Sequence, residues 1–287
     1  MAYELIPVID ELKVCYIAGE EFLAELRSVE SSISISDVTF YRTESHHFRY
    51  AYNICIGDVE HRQQVATARF GRYGDEGDNG YFFYRLENYV LYDCALMDYA
   101  MSLPEQFGLV FHNFTSLDIA IDTKTDVAHL MKRMWMRKDI TTIVNGKAVK
   151  DRKAIVNNVS LVYSTTLDRL KGLTVYVKQK KAIHDKTKGV TVQAYNKLAE
   201  IDEASHKEYI REYYGNPKKL YRLEVHLNNA EISDYCKSRQ MCQNEDLIYD
   251  QGLLTDMFFY HLGAVIRFTK GRIKLPWEDI IRSNGRL

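Results

Sequence analysis

The sequence predicts an α+β protein of two related halves, each a mainly antiparallel sheet with helices packed on one face. Three observations predict it. Short runs in which apolar and polar residues alternate at a period of two recur along the chain, the pattern of half-buried strands. Turn chemistry of the hairpin kind, GDNG around Gly80 and Asn145-Gly146, joins several of these runs and points to antiparallel neighbours. A strand running directly into a capped helix occurs twice, as LDIAID-TKTDVAHLMKR and as YRLEVHL-NNAEISDYCKSR, with Asp118 and Glu224 at equivalent places. The boundary then falls near Lys150, giving halves of 1–150 and 151–287. With 46% hydrophobic residues and only 4 prolines in 287, the chain reads as well packed rather than disordered.

Taken in order, the first strand is Asp10 to Ala18, followed by a helical pattern over Glu20 to Val29. Strand-like runs cover Ser32 to Arg42, Phe48 to Ile56 and Val65 to Arg72, and GRYGDEGDNGYFFYRL reads as a hairpin turn with aromatic strands on both sides. A helix is expected over Tyr92 to Ser102, ended by Pro104. The strand Leu109 to Asp122 leads into a helix capped by Thr123 or Thr125, with Val127, Leu130, Met131 and Met134 at helical spacing. IVNGKAV is a hairpin. Strands Leu173 to Lys178, Val190 to Lys197 and Leu220 to Leu227 follow, and Asn228 or Asn229 caps a helix that buries Ile232 and Tyr235. Asp250 to Thr269 is the longest helical pattern, and Pro276 and Trp277 close the chain with a short turn.

Composition removes several classes of function. No window approaches the ~18 consecutive apolar residues of a membrane span, and MAYELIPVIDELK lacks the basic start and apolar core of a signal peptide, so a cytoplasmic protein with no membrane partner is expected. The five cysteines form an odd set without a Cys-x-x-Cys pair, which suits a reducing compartment and gives no zinc pattern. Net charge is −1, so affinity for nucleic acid has to come from local patches. One such patch exists: between Lys171 and Lys188 six lysines stand against a single acid, Asp185.

The chemistry is concentrated between Lys171 and Leu227. Alternate residues of a strand share a face, so Thr174, Tyr176 and Lys178 point together, as do Gln193, Tyr195 and Lys197, and Arg222, Glu224 and His226. If these strands are neighbours, two tyrosines, a carboxylate, an imidazole and several cations line one surface. Asp118 and Asp122 stand on one face of the earlier strand, with Ala120 between them. Carboxylates there need water, cations or a metal, since burying them unpaired is costly; the plain alternative is a wet face or one paired with Lys and Arg. Oxygen and imidazole ligands from Asp118, Asp122, Glu224 and His226 suit Mg²⁺ or Mn²⁺. Tyr176 and Tyr195 are nucleophile candidates, because a phenol activated by a base, cation or metal can attack phosphorus. Lys178, Lys180 and Lys181 supply positive charge for phosphate. There is no Walker P-loop, Gly-x-Gly-x-x-Gly, Gly-x-Ser-x-Gly or His-Glu-x-x-His. His46 and His47 are adjacent and cannot form a His-hydrophobe-His pair.

In their order, LDIAIDTK, GLTVYVKQKKA, VTVQAYNKLAE and YRLEVHL resemble the replication initiation factor family: trans-acting initiators of rolling-circle plasmids, replication proteins of filamentous phages, and relaxases of conjugative elements. The resemblance spans roughly Leu109 to Tyr235. It implies a DNA nicking-joining enzyme in which a tyrosine attacks a phosphodiester at the origin, stays joined to the 5′ phosphate and frees a 3′ hydroxyl, with a divalent cation held by carboxylates. The family's Tyr-x-Gly-Ser tyrosine falls on Tyr176, its Tyr-Asp/Asn-Lys motif on Tyr195, Asn196 and Lys197, its acidic strand on Asp118 with Asp122, and its Arg-x-Glu strand on Arg222 and Glu224. Implied partners are origin DNA in a single-stranded or cruciform segment and a host helicase and polymerase; a homodimer is compatible. Arg222 and Lys178, Lys180 and Lys181 are the expected DNA contacts. After Tyr176 the chain reads Val-Lys-Gln-Lys-Lys where the family usually has Gly-Ser and a basic residue, which keeps Tyr195 open as the nucleophile. It also keeps open a non-catalytic, sequence-specific origin-binding protein of the same fold. A metal-dependent nuclease that uses water is the third reading.

Overall fold

In the computed structural model, residues 5–58, 60–74, 79–149, 159–166, 169–179 and 189–286 are described, with backbone alone for 160–166 and 169–172. The fold is α+β. Fifteen strands occur among the described residues: β1 (Pro7–Ile17), β2 (Ser32–Ile35), β3 (Val38–Thr43), β4 (Phe48–Ile56), β5 (Gln63–Arg72), β6 (Tyr81–Leu86), β7 (Val110–Thr123), β8 (Thr141–Val144), β9 (Lys147–Ala148), β10 (Val159–Thr166), β11 (Arg169–Lys178), β12 (Thr191–Asn196), β13 (Tyr221–Asn228), β14 (Ile266–Lys270) and β15 (Ile273–Leu275). None of the described helices is long and apolar enough to cross a membrane.

The chain forms two compact units, one of residues 1–9, 118–242 and 246–287, the other of 10–117 and 243–245. This division differs from the expected boundary near Lys150. β1 and β7 each pass from one unit to the other along their length, so the acidic end of β7, Asp118 to Thr123, belongs with β10 to β13. Both copies of the strand-to-helix pattern therefore lie in the same unit.

In the smaller unit, strands run in the order β1-β6-β5-β4-β3-β2, and their registers are antiparallel. The run Ser32 to Arg42, read as one strand, is a hairpin. Ser36 takes a left-handed φ of 56°, which turns the chain between Ile35 and Val38. The core is aromatic: Phe22 of the helix Glu20–Arg27 stacks on Phe107 and meets Phe40 and Phe82 edge-on. On β1, Glu11 pairs with Lys13 at 2.8 Å and with Arg85 at 3.0 Å.

Pro104 does not end its helix, which runs from Cys94 to Gln106. Proline removes the N–H that would bond to the carbonyl four residues earlier, here Ala100. That carbonyl instead accepts from the buried Tyr84 hydroxyl at 2.8 Å. Tyr84→Phe is expected to leave it unsatisfied and cost about 1–2 kcal/mol in urea unfolding; a change below about 0.3 kcal/mol would show that water replaces the hydroxyl.

In the larger unit, β10-β11-β12-β13-β7 are neighbours in that order, and β15-β14-β8-β9 form a second sheet. Helices Val127–Met136 and Gln251–Val265 pack against β12 and β13. Val175, Val177, Val192, Ala194, Leu223 and Val225 are buried, which leaves the alternate residues of these strands for the other face. The first helix is capped by Asp126, whose side chain accepts from His129 N at 3.0 Å, rather than by Thr123 or Thr125. Ile232 and Tyr235 are buried as expected, on helix Asn229–Ser238.

The helical pattern from Asp250 ends at Val265. Beyond it, Ile266 and Phe268 alternate with Arg267 and Thr269, and this period-two segment is β14, paired with β8 and β15. The expected closing turn is a helix, Trp277–Arg282; Trp277 Nε1 donates to the Ile266 carbonyl at 3.0 Å, and its ring meets Phe268 at 5.3 Å.

His261, on helix Gln251–Val265, is 4% exposed, and its Nε2 has no hydrogen-bond partner among the described residues. Burial pushes its pKa down to about 4, against a weaker upward pull from Asp234. A folded value below the unfolded value of ~6.5 means the unfolded chain binds the extra proton. The contribution is complete above pH ~6.5 and is lost as pH falls toward 4, about 3 kcal/mol in all. Urea titrations at pH 7 and pH 4.5 should show this loss, and His261→Leu should flatten it; an equal slope in the variant would assign the acid sensitivity elsewhere.

Candidate active site on a sheet face

The registers of β11, β12 and β13 fix which polar residues sit side by side. Tyr176 is opposite Gln193, and Gln193 is opposite Glu224; Lys178 is opposite Thr191, and Thr191 is opposite His226; Tyr195 is opposite Arg222. Because alternate residues share a face, Tyr176, Lys178, Gln193, Tyr195, Arg222, Glu224 and His226 stand on one surface. β7 adds its own alternate residues through two pairs. Arg222 Nε and Nη2 donate to Asp122 Oδ1 and Oδ2 at 2.8 and 2.6 Å, and His226 Nδ1 is hydrogen-bonded to Asp118 Oδ1.

The two ends of this surface differ in kind. Arg222 and Asp122 side chains are both fully buried, and the bidentate pair occupies both carboxylate oxygens. Asp122, expected as a metal ligand, has both oxygens bonded to Arg222, and Arg222, expected as a DNA contact, is sealed from solvent with it. The two opposite charges cancel each other at this end of the sheet. At the other end, Asp118 and His226 are partly exposed.

Between them, the Tyr195 hydroxyl donates to Glu224 Oε2 at 2.9 Å. Lys197 is 1% exposed; its ammonium lies 2.9 Å from Glu200 and 5.8 Å from the centre of the Tyr195 ring, within cation–π range. Tyr195 thus carries a carboxylate at its hydroxyl and a cation near its ring. Tyr176 is half-buried and lies two strands from Glu224, about 10 Å at normal strand spacing. Both tyrosines line a cleft of about 280 Å³. Lys180 and Lys181 lie outside the described residues.

The far wall of the cleft was not anticipated. After β12, Asn196 caps a short helix, Lys197–Glu200, through its side chain to Ala199 N at 3.1 Å, and the chain continues as a π-helical turn, Ile201–Ser205, ended by His206 at φ 55°. Glu200, Glu203 and Ala204 of this segment line the cleft. The stretch KLAEIDEAS shows only a polar helix in sequence. A π turn inserts an extra residue into the helical ladder and has no periodicity signal of its own, although such turns are frequent at functional sites.

Asp118 and His226 offer a carboxylate oxygen and an imidazole nitrogen in contact with each other, donors that suit a hard or borderline divalent ion, while Glu224 stands on the same sheet face with its Oε2 bonded to the Tyr195 hydroxyl.

No protein-family model matches the sequence, and no curated protein does. Among solved structures, the chain is similar to a rolling circle replication initiator protein from Geobacillus stearothermophilus, with a TM-score of 0.53 and 12% sequence identity over 97% of each chain. The chain shares that protein's fold.

Proposed function

We propose that the protein is a rolling-circle replication initiator that nicks one strand of its origin DNA through a tyrosine. What supports this reading is the polar face itself. Tyr176, Tyr195, Glu224, His226 and Asp118 stand on four strands of one sheet, as the resemblance of the motifs anticipates, on a fold shared with an initiator. Tyr176 attacks the scissile phosphorus. Its oxygen forms the P–O bond as the 3′ oxygen of the preceding nucleotide leaves, so the chain is joined to the 5′ phosphate and the freed 3′ hydroxyl can prime a host polymerase. The phenolic proton passes to solvent or a base, and the leaving oxygen takes up a proton. Asp118, Glu224 and His226 would hold a divalent ion, which when bound polarises the phosphate. Tyr195 holds the Glu224 carboxylate in place, and Lys197 keeps positive charge near the Tyr195 ring. Lys178, on the same face, steers the phosphate backbone.

The test is incubation of the full chain with Mn²⁺ and supercoiled DNA carrying its own origin. A nicked circle with protein attached at the 5′ end is expected. Specific binding with no adduct under any divalent metal would instead establish the non-catalytic reading, which the absent Gly-Ser after Tyr176 favours.

A further inference from the structure

The smaller unit keeps its core on one face of its sheet. Phe22 of the helix Glu20–Arg27 meets Phe40 and Phe82 there, and the Tyr84 hydroxyl donates to the Ala100 carbonyl of the helix Cys94–Gln106. Alternate residues of β6 turn away from Phe82 and Tyr84, so Tyr81, Phe83 and Arg85 belong to the opposite face. Register adds Arg69 of β5, which stands opposite Phe83.

Aromatic rings run in a row on this opposite face. The Phe83 ring centre lies 5.4 Å from that of Phe48 and 6.5 Å from that of Tyr81, and Tyr81 lies 5.2 Å from His112, each contact tilted rather than stacked. Phe48, Tyr81 and Phe83 are half-buried and His112 is exposed, so the row keeps part of its surface in water. The strands that carry it are cationic. β4, β5 and β6 are adjacent and hold Arg49, Arg69, Arg72 and Arg85 with no aspartate or glutamate, in a chain whose net charge is −1. Arg69 opposite Phe83 and Arg72 opposite Phe48 are exposed, and neither makes an ion pair among the described residues. Glu11 of β1 is shared by Lys13 and Arg85.

We propose that this face of the smaller unit is a stacking platform for single-stranded DNA, with unpaired bases on Phe83 and its neighbouring rings and phosphates on Arg69 and Arg72. Every base has a π-face, so stacking on an aromatic side chain holds a strand whatever its sequence, and arginines beside the rings neutralise the backbone that joins the bases. A duplex has its bases stacked on one another and offers such a face phosphates alone. The proposal rests on the nicking reading only in taking DNA as the strand; an origin opened for nicking has unpaired bases to hold. Binding here is separable from cleavage, because none of these residues belongs to the face that carries Tyr176.

The experiment is fluorescence anisotropy of the full chain, in EDTA so that no nicking occurs, with a labelled oligothymidine and with an abasic strand and a duplex of the same length. The oligothymidine is expected to bind about tenfold more tightly than the abasic strand. Phe83→Leu keeps an apolar side chain but removes the ring, and should weaken oligothymidine binding about tenfold at an unchanged melting temperature, while Phe83→Trp restores it. Arg69 is exposed, so Arg69→Ala should leave folding intact and reduce the slope of log affinity against log salt by about 0.7, the share of one phosphate contact on a single strand. Equal affinity for oligothymidine and abasic strand, or oligothymidine affinity unchanged in both Phe83→Leu and Arg69→Ala, overturns the proposal. Duplex binding that is as tight as oligothymidine binding and insensitive to Phe83→Leu overturns it too, and makes the face a surface for duplex phosphates. Absence of any nicked adduct with Phe83-dependent affinity intact would count against the nicking reading alone, and intact nicking with affinity independent of Phe83 and Arg69 against the platform alone.

Discussion

Asp122→Ala is expected to destabilise the protein by about 3–5 kcal/mol, read as a fall in the urea midpoint at constant slope. Both side chains of the Arg222–Asp122 pair are at 0% exposure, and the arginine donates twice to the carboxylate. Taking away the acid removes the counter-charge that offsets the desolvation of a buried guanidinium. Replacing both together by apolar residues of similar volume, Asp122→Leu with Arg222→Met, should recover most of the loss, because such pairs are often no better than well-packed hydrophobes. The single and double variants form a cycle whose coupling term isolates the pair. The double variant has a second use. If Asp122 belongs to the core, Mn²⁺ affinity should be unchanged in it, whereas a loss of ten-fold or more would return Asp122 to the metal ligands. A single-variant cost below about 1 kcal/mol would mean that water reaches the pair.

Why this pair escapes a reading of the sequence is instructive. Period-two alternation makes the polar face legible strand by strand: Tyr176 with Lys178, Gln193 with Tyr195, Arg222 with Glu224 and His226, Asp118 with Asp122. What alternation does not contain is register between strands a hundred residues apart, and register decides that Arg222 meets Asp122 and His226 meets Asp118. The face was therefore readable, while its division into a sealed end and a partly exposed end was not. Boundaries failed for a related reason. Ile266 to Thr269 is apolar enough to continue the preceding helix, and only pairing with β8 and β15 makes it a strand. Pro104 reads as a stop because the hydroxyl that accommodates it comes from Tyr84, on another element. The two strand-to-helix repeats were correctly seen, yet they sit in one unit, since both copies are local and unit boundaries are set by long-range packing.

The assignment of the nucleophile carries the larger kinetic effect. Tyr176→Phe is expected to abolish the 5′-linked adduct, lowering nicking by at least 10³-fold, since without the phenolic oxygen no P–O bond to protein can form. Tyr195→Phe should slow nicking by only about 10- to 100-fold. Its hydroxyl is committed to Glu224 at 2.9 Å, and an anionic carboxylate next to a phenol opposes a second negative charge there. Removing the hydroxyl frees the carboxylate to rotate and weakens the hold on a divalent ion, so the deficit of Tyr195→Phe should shrink as Mn²⁺ is raised, whereas that of Tyr176→Phe should not. Glu224→Gln should behave like the former, with a rise in the Mn²⁺ requirement. The reverse pattern, adduct lost with Tyr195→Phe and kept with Tyr176→Phe, would make Tyr195 the attacking group with Glu224 as its base and the Lys197 charge as its support. If cleavage persists without adduct in both single variants and in the double variant, water is the nucleophile, and the enzyme is a metal-dependent nuclease built on the same face.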